Sequence, residues 1–365
     1  MNTVKVAIIG GGLSGLYTAY LLSQMNVEYQ LFEARDRLGG RILSTPGPGS
    51  RHDLGPAWMW PDFQPRMAAL VEELEIATFA QHTEGATLME RSSLQPPRRM
   101  VGWESGNTSM RIHSGVQQLI DALATKVPAE RILLNCRITK VTLRNSRVFL
   151  MASDGSSSLE NMEFTHVISA MPLRLMAQSI EFEPPTAASR MAQWAETPTW
   201  MAAHAKYVAL YSAPFWRAAG LSGSAQSHIG PMVEIHDACD PAGSAALFGF
   251  IGLPASVRKT MDQGALLAAC NQQMGRLFGT AATTPLAHYI KDWAWDDFTA
   301  ADGDRLATQV HHTGRTVITT QDVWSDVLLV SGTEASLEHN GYMEGALDAA
   351  QVAVNRLHQI EIRHW

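Results

Sequence analysis

Along the first part of the chain the apolar residues come in short continuous runs rather than in strict alternation. "VKVAII" (4–9) is apolar apart from Lys5, the pattern of a strand buried on both faces. "LSGLYTAYLLSQM" (13–25) predicts a helix packed back along that strand, and "EYQLFEA" (28–34) predicts a second strand ending at Glu33. Helices are predicted at about 63–75 and about 114–126, the latter opened by Ser114 as a cap. Between them, 80–110 is polar, carries Pro96-Pro97 and shows no clear period, so it reads as a loop-rich insertion. Strand-rich chain follows in "RILLNCRITKVTL", "RVFLMA", a turn at Asp154-Gly155, and "EFTHVISAM". From about 189 to 299 strand and helix signals mix in a stretch rich in Met, Ala and Trp, and the final unit, "VLLVSGTE" then "GYMEGALDAAQVAVNRLHQI", returns to strand-then-helix. No internal repeat is visible. The pattern is that of an α/β protein with two domains built from discontinuous segments: residues 1–76, 111–188 and 300–365 in one, 77–110 and 189–299 in the other.

The junction between the first strand and helix sharpens this reading. Gly10, Gly12 and Gly15 form G-x-G-x-x-G, in which the first glycine permits a tight turn, the second lets a pyrophosphate approach the backbone and the third lets helix and strand pack closely. A helix start offers free N–H groups and about half a positive charge to that pyrophosphate. Glu33, at the end of the second predicted strand, stands where a carboxylate accepts ribose hydroxyls. The chain then continues "ARDRLGGR", a second glycine turn (Gly39, Gly40, Arg41) that a nicotinamide dinucleotide does not need but a longer cofactor does.

Composition narrows the partners. With 365 residues, 46% hydrophobic and 17% charged, the chain affords large cores, and its net charge of −7 argues against nucleic acid or an anionic membrane as main partner. No window approaches the roughly 18 uninterrupted apolar residues of a membrane span. The first strand begins at once, without room for a signal peptide before it, so a soluble cytoplasmic protein is expected. Cys136, Cys239 and Cys270 form no C-x-x-C, and His52, His113, His204, His228, His311, His312 and His339 show no metal-type grouping, so no metal is expected. Oligomeric state is left open.

Taken together, "VAIIGGGLSGLYTAYLL…FEARDRLGGR", "DLGPAWMWP" (53–61), "RIHSGVQQLIDALA", "THVISAMPL", "AKYVALYSAPFW" (205–216), "KDWAWDD" (291–297) and "VSGTEASLEHNGYMEGALDAA" resemble, in order and over essentially the whole chain, the flavin-containing amine oxidases of the monoamine and polyamine oxidase type. The resemblance implies an FAD-binding Rossmann-like (two-dinucleotide-binding) domain with a discontinuous α+β substrate domain. It implies FAD contacts at Gly10, Gly12, Leu13, Ser14, Gly15, Glu33, Ala34, Arg35, Gly39, Gly40 and Arg41, then at Gly55, Pro56, Ala57 and Trp58. Ile138 and Ala170 are implied around the adenine, and Gly332, Glu334, Tyr342 and Met343 at the isoalloxazine end. Lys206 aligns with the family's lysine at flavin N5, and Trp293 with its tryptophan segment. The implied activity is oxidation of an amine or amino acid by hydride transfer to flavin, with O2 reoxidising the cofactor to give hydrogen peroxide. Alternatives are a desaturase or dehydrogenase of the protoporphyrinogen oxidase or carotenoid desaturase type, and a binding module that has lost turnover.

Two departures stand out. Asp302 lies near the place where covalent members carry their flavin cysteine, so the FAD is expected to be non-covalent. Gly303 occupies the slot of one of the family's two aromatic rings, leaving Tyr342, with Trp58, Trp60, Trp293 and Trp295 as candidate substitutes. His339 is a further candidate for the pocket, and Arg98, Arg99 and Arg217 are nominees for an acid-bearing substrate.

Overall fold

The computed structural model describes residues 4–102, 109–153, 159, 162–243, 245–305 and 321–363. Its organising element is a five-stranded, all-parallel sheet in the order Leu328–Val330, His166–Ser169, Lys5–Ile9, Glu28–Phe32, Ile132–Leu133. Val6, Ala7 and Ile8 are fully buried at its centre, as the continuous apolar run requires. Helix Leu13–Gln24 packs against the sheet and also against the last helix, Met343–Arg363. The two ends of the chain therefore lie side by side. The fold is a Rossmann-like α/β arrangement.

A seven-stranded sheet forms the second layer system, in the order Ala287–Asp292, Ala205–Tyr211, Ala245–Ile251, Met232–Asp237, Leu221–Ser227, Ala86–Glu90, Arg98–Met100. Helix Gln263–Phe278 covers one face and is capped by Asp262, whose carboxylate accepts from Ala265 N at 2.9 Å. The strand Ala205–Tyr211 is buried along its full length between two antiparallel neighbours. A smaller sheet pairs Arg147–Ala152 with Ile138–Arg144 and the latter with Glu181–Glu183.

Two local expectations are corrected. The stretch 80–110 is not simply loop: Ala86–Glu90 and Arg98–Met100 extend the seven-stranded sheet, and the first alternates buried and half-buried residues. Its period was hidden because a buried position holds Glu90, whose charge is met by Arg276 (2.5 Å) and Ser227 (2.6 Å). Ser114 is not a cap. It sits at φ +57 outside the helix Gln117–Ala124, and the helix-start N–H of Val116 is taken instead by Asp53 Oδ1 at 2.8 Å. In the same manner Glu344, in the first turn of the last helix, accepts from Arg66 N and Met67 N at 3.0 and 2.8 Å and so caps helix Pro65–Glu73. The turn expected at Asp154-Gly155 and the pair His311-His312 lie outside the described residues.

Candidate active site

A cavity of about 450 Å³ runs between the two sheets. At one end lies the first glycine junction. Gly10 holds φ +106, and a Cβ on Gly15 would stand 1.8 Å from Gly10 O, so only glycine lets the helix approach the strand this closely. Gly15 accordingly serves packing and is absent from the cavity wall, whereas Gly10, Gly12, Leu13 and Ser14 line it. The second glycine turn docks on the first through Gly39 N to Gly11 O (2.8 Å), bringing Gly39, Gly40 and Arg41 into the same wall. Glu33 closes this end. It is buried, and its two oxygens accept from Gly11 N at 2.6 Å and Arg35 N at 2.8 Å.

Beside Glu33 the wall continues with Ala34, Arg35, Ile138 and Ala170, and with residues the sequence did not single out: Cys136, Arg137, Phe298 and Thr299. Arg35 pairs with Asp296 and donates to Thr299 Oγ1 at 3.1 Å, and the guanidinium groups of Arg35 (5.2 Å) and Arg137 (5.6 Å) both lie over the Phe298 ring. This clasp ties the segment that follows the seven-stranded sheet to the end of the second parallel strand.

The opposite end is built on the turn Asp53–Gly55. Two consecutive carbonyls of this turn hold the two candidate side chains: Leu54 O accepts from Trp293 Nε1 at 3.0 Å, and Gly55 O accepts from Lys206 Nζ at 3.0 Å. A Cβ on Gly55 would fall 2.1 Å from Arg41 O, so the turn is pressed against the second glycine turn. Lys206 is 3% exposed, with Nζ 4.0 Å from the Phe248 ring centre and 5.8 Å from that of Phe250. Burial pulls its pKa down from 10.5 to about 7; Asp53 works against that shift and Arg111 adds to it. Pro56, Ala57, Trp58, Trp60, Tyr342 and Met343 complete the wall here, joined by Trp200, His204, Glu234 and Phe250. Trp200 packs onto Gly341 next to Tyr342, since a Cβ on that glycine would lie 2.6 Å from Trp200 Cβ. Glu234 is paired with His236 at 2.7 Å, which holds its carboxyl below the usual range, and the His236 and Trp58 rings meet edge to face with centres 4.8 Å apart.

Several nominees stand elsewhere. Gly332 and Glu334 are outside the cavity wall; Gly332 allows close approach to Met171 O (2.6 Å from its added Cβ), and Glu334 Oε1 receives Arg41 at 2.9 Å. Gly303 faces Arg174, Trp295 lies under Lys259 and Arg305, and His339 does not line the cavity. Arg217 is held by Asp237, and Arg98 and Arg99 are exposed on the edge strand. Among the described residues no group of three or more His, Cys, Asp or Glu is placed to hold a metal. None of the described helices is long and apolar enough to cross a membrane.

The donor set fits a long dinucleotide. A Cβ added at Gly12 meets nothing nearer than Gly40 Cα at 3.8 Å, so two glycine backbones leave a clear trough, with the Glu33 carboxylate beside it. The Ser14 hydroxyl donates to Ser331 O, joining the first glycine junction to the last. The buried Glu334 Oε2 has no partner among the described residues.

Comparison with known proteins decides the family. Residues 87–358 match the family described as "Flavin containing amine oxidoreductase", and residues 8–74 match an "NAD(P)-binding Rossmann-like domain". The chain belongs to the flavin-containing amine oxidoreductases. Among relatives of this amine oxidoreductase is AofH of Mycobacterium tuberculosis, whose name places it with flavin-containing monoamine oxidases; it is 25% identical over 96% of each chain. Amine oxidase [flavin-containing] A of Sus scrofa is 23% identical over 98% of this chain and 85% of its own. The fold is similar to that of cyclohexylamine oxidase from Brevibacterium oxydans IH-35A, with a TM-score of 0.82 at 20% identity, covering 99% of this chain and 100% of that one. Membership makes FAD the cofactor of this amine oxidoreductase.

Proposed function

We propose that this chain oxidises the C–N bond of a small amine, with non-covalent FAD lying along the cavity from Glu33 to Tyr342 and the substrate entering at the end lined by Trp58, Trp200 and Tyr342. The observation that carries the proposal is Lys206: a lysine with a pKa near neutral, buried in the wall and aimed by Gly55 O. Bound FAD would supply the redox chemistry, taking a hydride equivalent from the carbon beside nitrogen and passing the electrons to O2, which leaves as hydrogen peroxide. The chain's residues would do the rest. Near neutral pH a good part of Lys206 is uncharged, and in that form Nζ accepts a hydrogen bond from water or takes up a proton released at the substrate. An amine must lose its proton to give up hydride. If its pKa resembles that of lysine, this costs roughly 4 to 5 kcal/mol at pH 7, and the dry aromatic wall works in the needed direction. Trp293 and Tyr342 bound the site, and the first turn of the helix from Met343 presents its positive end to it.

Glu234 supports an amine that carries a second positive group, because it sets a carboxylate in the wall of the substrate end; a solved putrescine oxidase with putrescine bound has a similar fold, TM-score 0.79 at 18% identity. An amino acid finds less support, since Arg98, Arg99 and Arg217 are all outside the wall. Non-covalent attachment is supported by the cysteines: Cys136 stands at the Glu33 end, and Cys239 and Cys270 do not line the cavity. The same reading assigns the parallel sheet (1–76, 111–188, 300–365) to FAD and the seven-stranded sheet (77–110, 189–299) to substrate. The test is anaerobic bleaching of the yellow protein by alkyl monoamines, diamines and amino acids, followed by peroxide release on admitting air. Bleaching by diamines at the lowest concentration is expected, and denaturation should release all the flavin. Failure of every amine to bleach the protein would end the proposal.

A further inference from the structure

Lys206 does not stand alone behind the cavity wall. Asp53, 3% exposed, accepts from Ser44 Oγ at 2.7 Å and Val116 N at 2.8 Å, and its other oxygen faces Arg111 at 3.9 Å. Arg111 is 5% exposed; it donates to Asp237 O at 3.3 Å, stacks on Phe79 at 5.8 Å, and its buried Nε finds no partner among the described residues. The remaining carboxylates on the elements packed around Lys206 are engaged elsewhere: Asp237 by Arg217, Asp240 by Ser114 N and His113, Glu234 by His236, Asp292 by Arg258, and Asp296 by Lys291 and Arg35. Lys291, which faces Lys206 across the strand pair, is thus already neutralised. His52 is held neutral, its pKa lowered to about 4 by burial and by Arg111, and burial together with Arg258 also lowers that of His204. One buried carboxylate, Asp53, whose own pKa burial raises against the pull of Arg111 and Lys206, is therefore left to serve two buried cations. Were both charged, the cluster would hold a net positive charge away from water.

We propose that Arg111 and Asp53 are positioning residues for Lys206: Arg111 competes with the lysine for the Asp53 carboxylate, and this competition adds to burial in disfavouring the charged lysine in the working enzyme. The inference rests on Lys206 standing at the reacting end of the cavity, but its test does not require turnover. Asp53 also begins the turn whose next two carbonyls hold Trp293 and Lys206, so charge and aim are set by one segment.

The experiment titrates Lys206 in the FAD-loaded protein. Cyanate carbamoylates only the uncharged amine, so the pH dependence of labelling of the peptide carrying Lys206, read by mass spectrometry, gives its midpoint. The pH profile of kcat for an oxidised amine is read in parallel. Arg111→Gln frees Asp53 for the lysine and is expected to raise the midpoint by about one unit, while Asp53→Asn is expected to lower it by about as much. Arg111→Lys keeps the charge and should leave it near the wild-type value. Opposite shifts are the signature, because a general loosening of the fold moves both variants the same way. Equal midpoints, or shifts of one sign, would overturn the proposal. Should Arg111→Gln fail to fold, Asp53→Asn decides alone, since a midpoint at or above wild type contradicts the competition. Shifted labelling in a protein that oxidises no amine would sink the oxidase reading and leave this one standing.

Discussion

Replacing Lys206 by methionine is expected to stabilise the protein while slowing it. In the unfolded chain this lysine keeps its proton to about pH 10.4, whereas in the fold it releases it near 7. Between those values the unfolded chain holds the extra proton, so the folded state loses stability as the pH is lowered through the window, and the full cost is present below pH 7. A displacement from 10.5 to about 7 corresponds to about 4 kcal/mol at pH 7, undiminished by solvent because the side chain is 3% exposed. Methionine has a similar length and no charge. It forfeits the bond to Gly55 O, about 1 kcal/mol, leaving a net gain of about 3 kcal/mol at pH 7. At pH 9.5 the protonation cost falls to about 1 kcal/mol and the lost bond cancels it. Denaturant unfolding of both proteins with FAD in fixed excess, at pH 7 and at pH 9.5, reads the two differences. The variant should be the more stable at pH 7 and indistinguishable at pH 9.5, with flavin reduction by the amine or flavin reoxidation slowed about tenfold or more, equivalent to about 1.4 kcal/mol. A variant less stable than wild type at pH 7, or a gain of equal size at both pH values, would refute the reasoning.

Two further outcomes follow from packing. Gly15→Ala places a methyl carbon 1.8 Å from Gly10 O; the backbone there has no flexible neighbour to yield, so purified protein should be colourless or unfold at least about 3 kcal/mol more easily, and a yellow protein of wild-type stability would contradict this. Glu344→Gln keeps the side chain's shape but turns one of two acceptor oxygens at the start of helix Pro65–Glu73 into a donor facing an N–H group; a loss of about 1 to 2 kcal/mol is expected in denaturant unfolding, and no loss would deny Glu344 its capping role.

What could be read from the sequence was what local backbone geometry imposes. Gly10 and Gly15 announce their junction because no other residue tolerates the turn and the close packing there, Gly12 leaves the trough beside them clear, and Glu33 follows from the end of the next strand. Lys206 was legible only through resemblance, for neighbours such as Tyr207 and Val208 are buried as well and no alternation marks which face the lysine takes. Ser114 misled because the helix after it is capped by Asp53, brought in from a distant strand. The strand Ala86–Glu90 was hidden by a buried glutamate whose partner Arg276 lies far along the chain. Trp200, Glu234 and Phe298 carry no local signal: only the folding of separate segments onto one another makes them neighbours.

The placement of Leu328–Val330 beside His166–Ser169 in the parallel sheet also sets an order in time. During synthesis the strands of the seven-stranded sheet, the last of which ends at Asp292, emerge before the other half of the cofactor trough exists. Ser14 waits for Ser331, and helix Leu13–Gln24 waits for the helix that starts at Met343. At a rate of roughly 5 to 20 residues per second, that leaves the earliest-made glycine turn without its counterpart for tens of seconds. A ribosome stalled shortly before residue 328 would therefore carry a chain able to form its seven-stranded sheet yet unable to retain flavin.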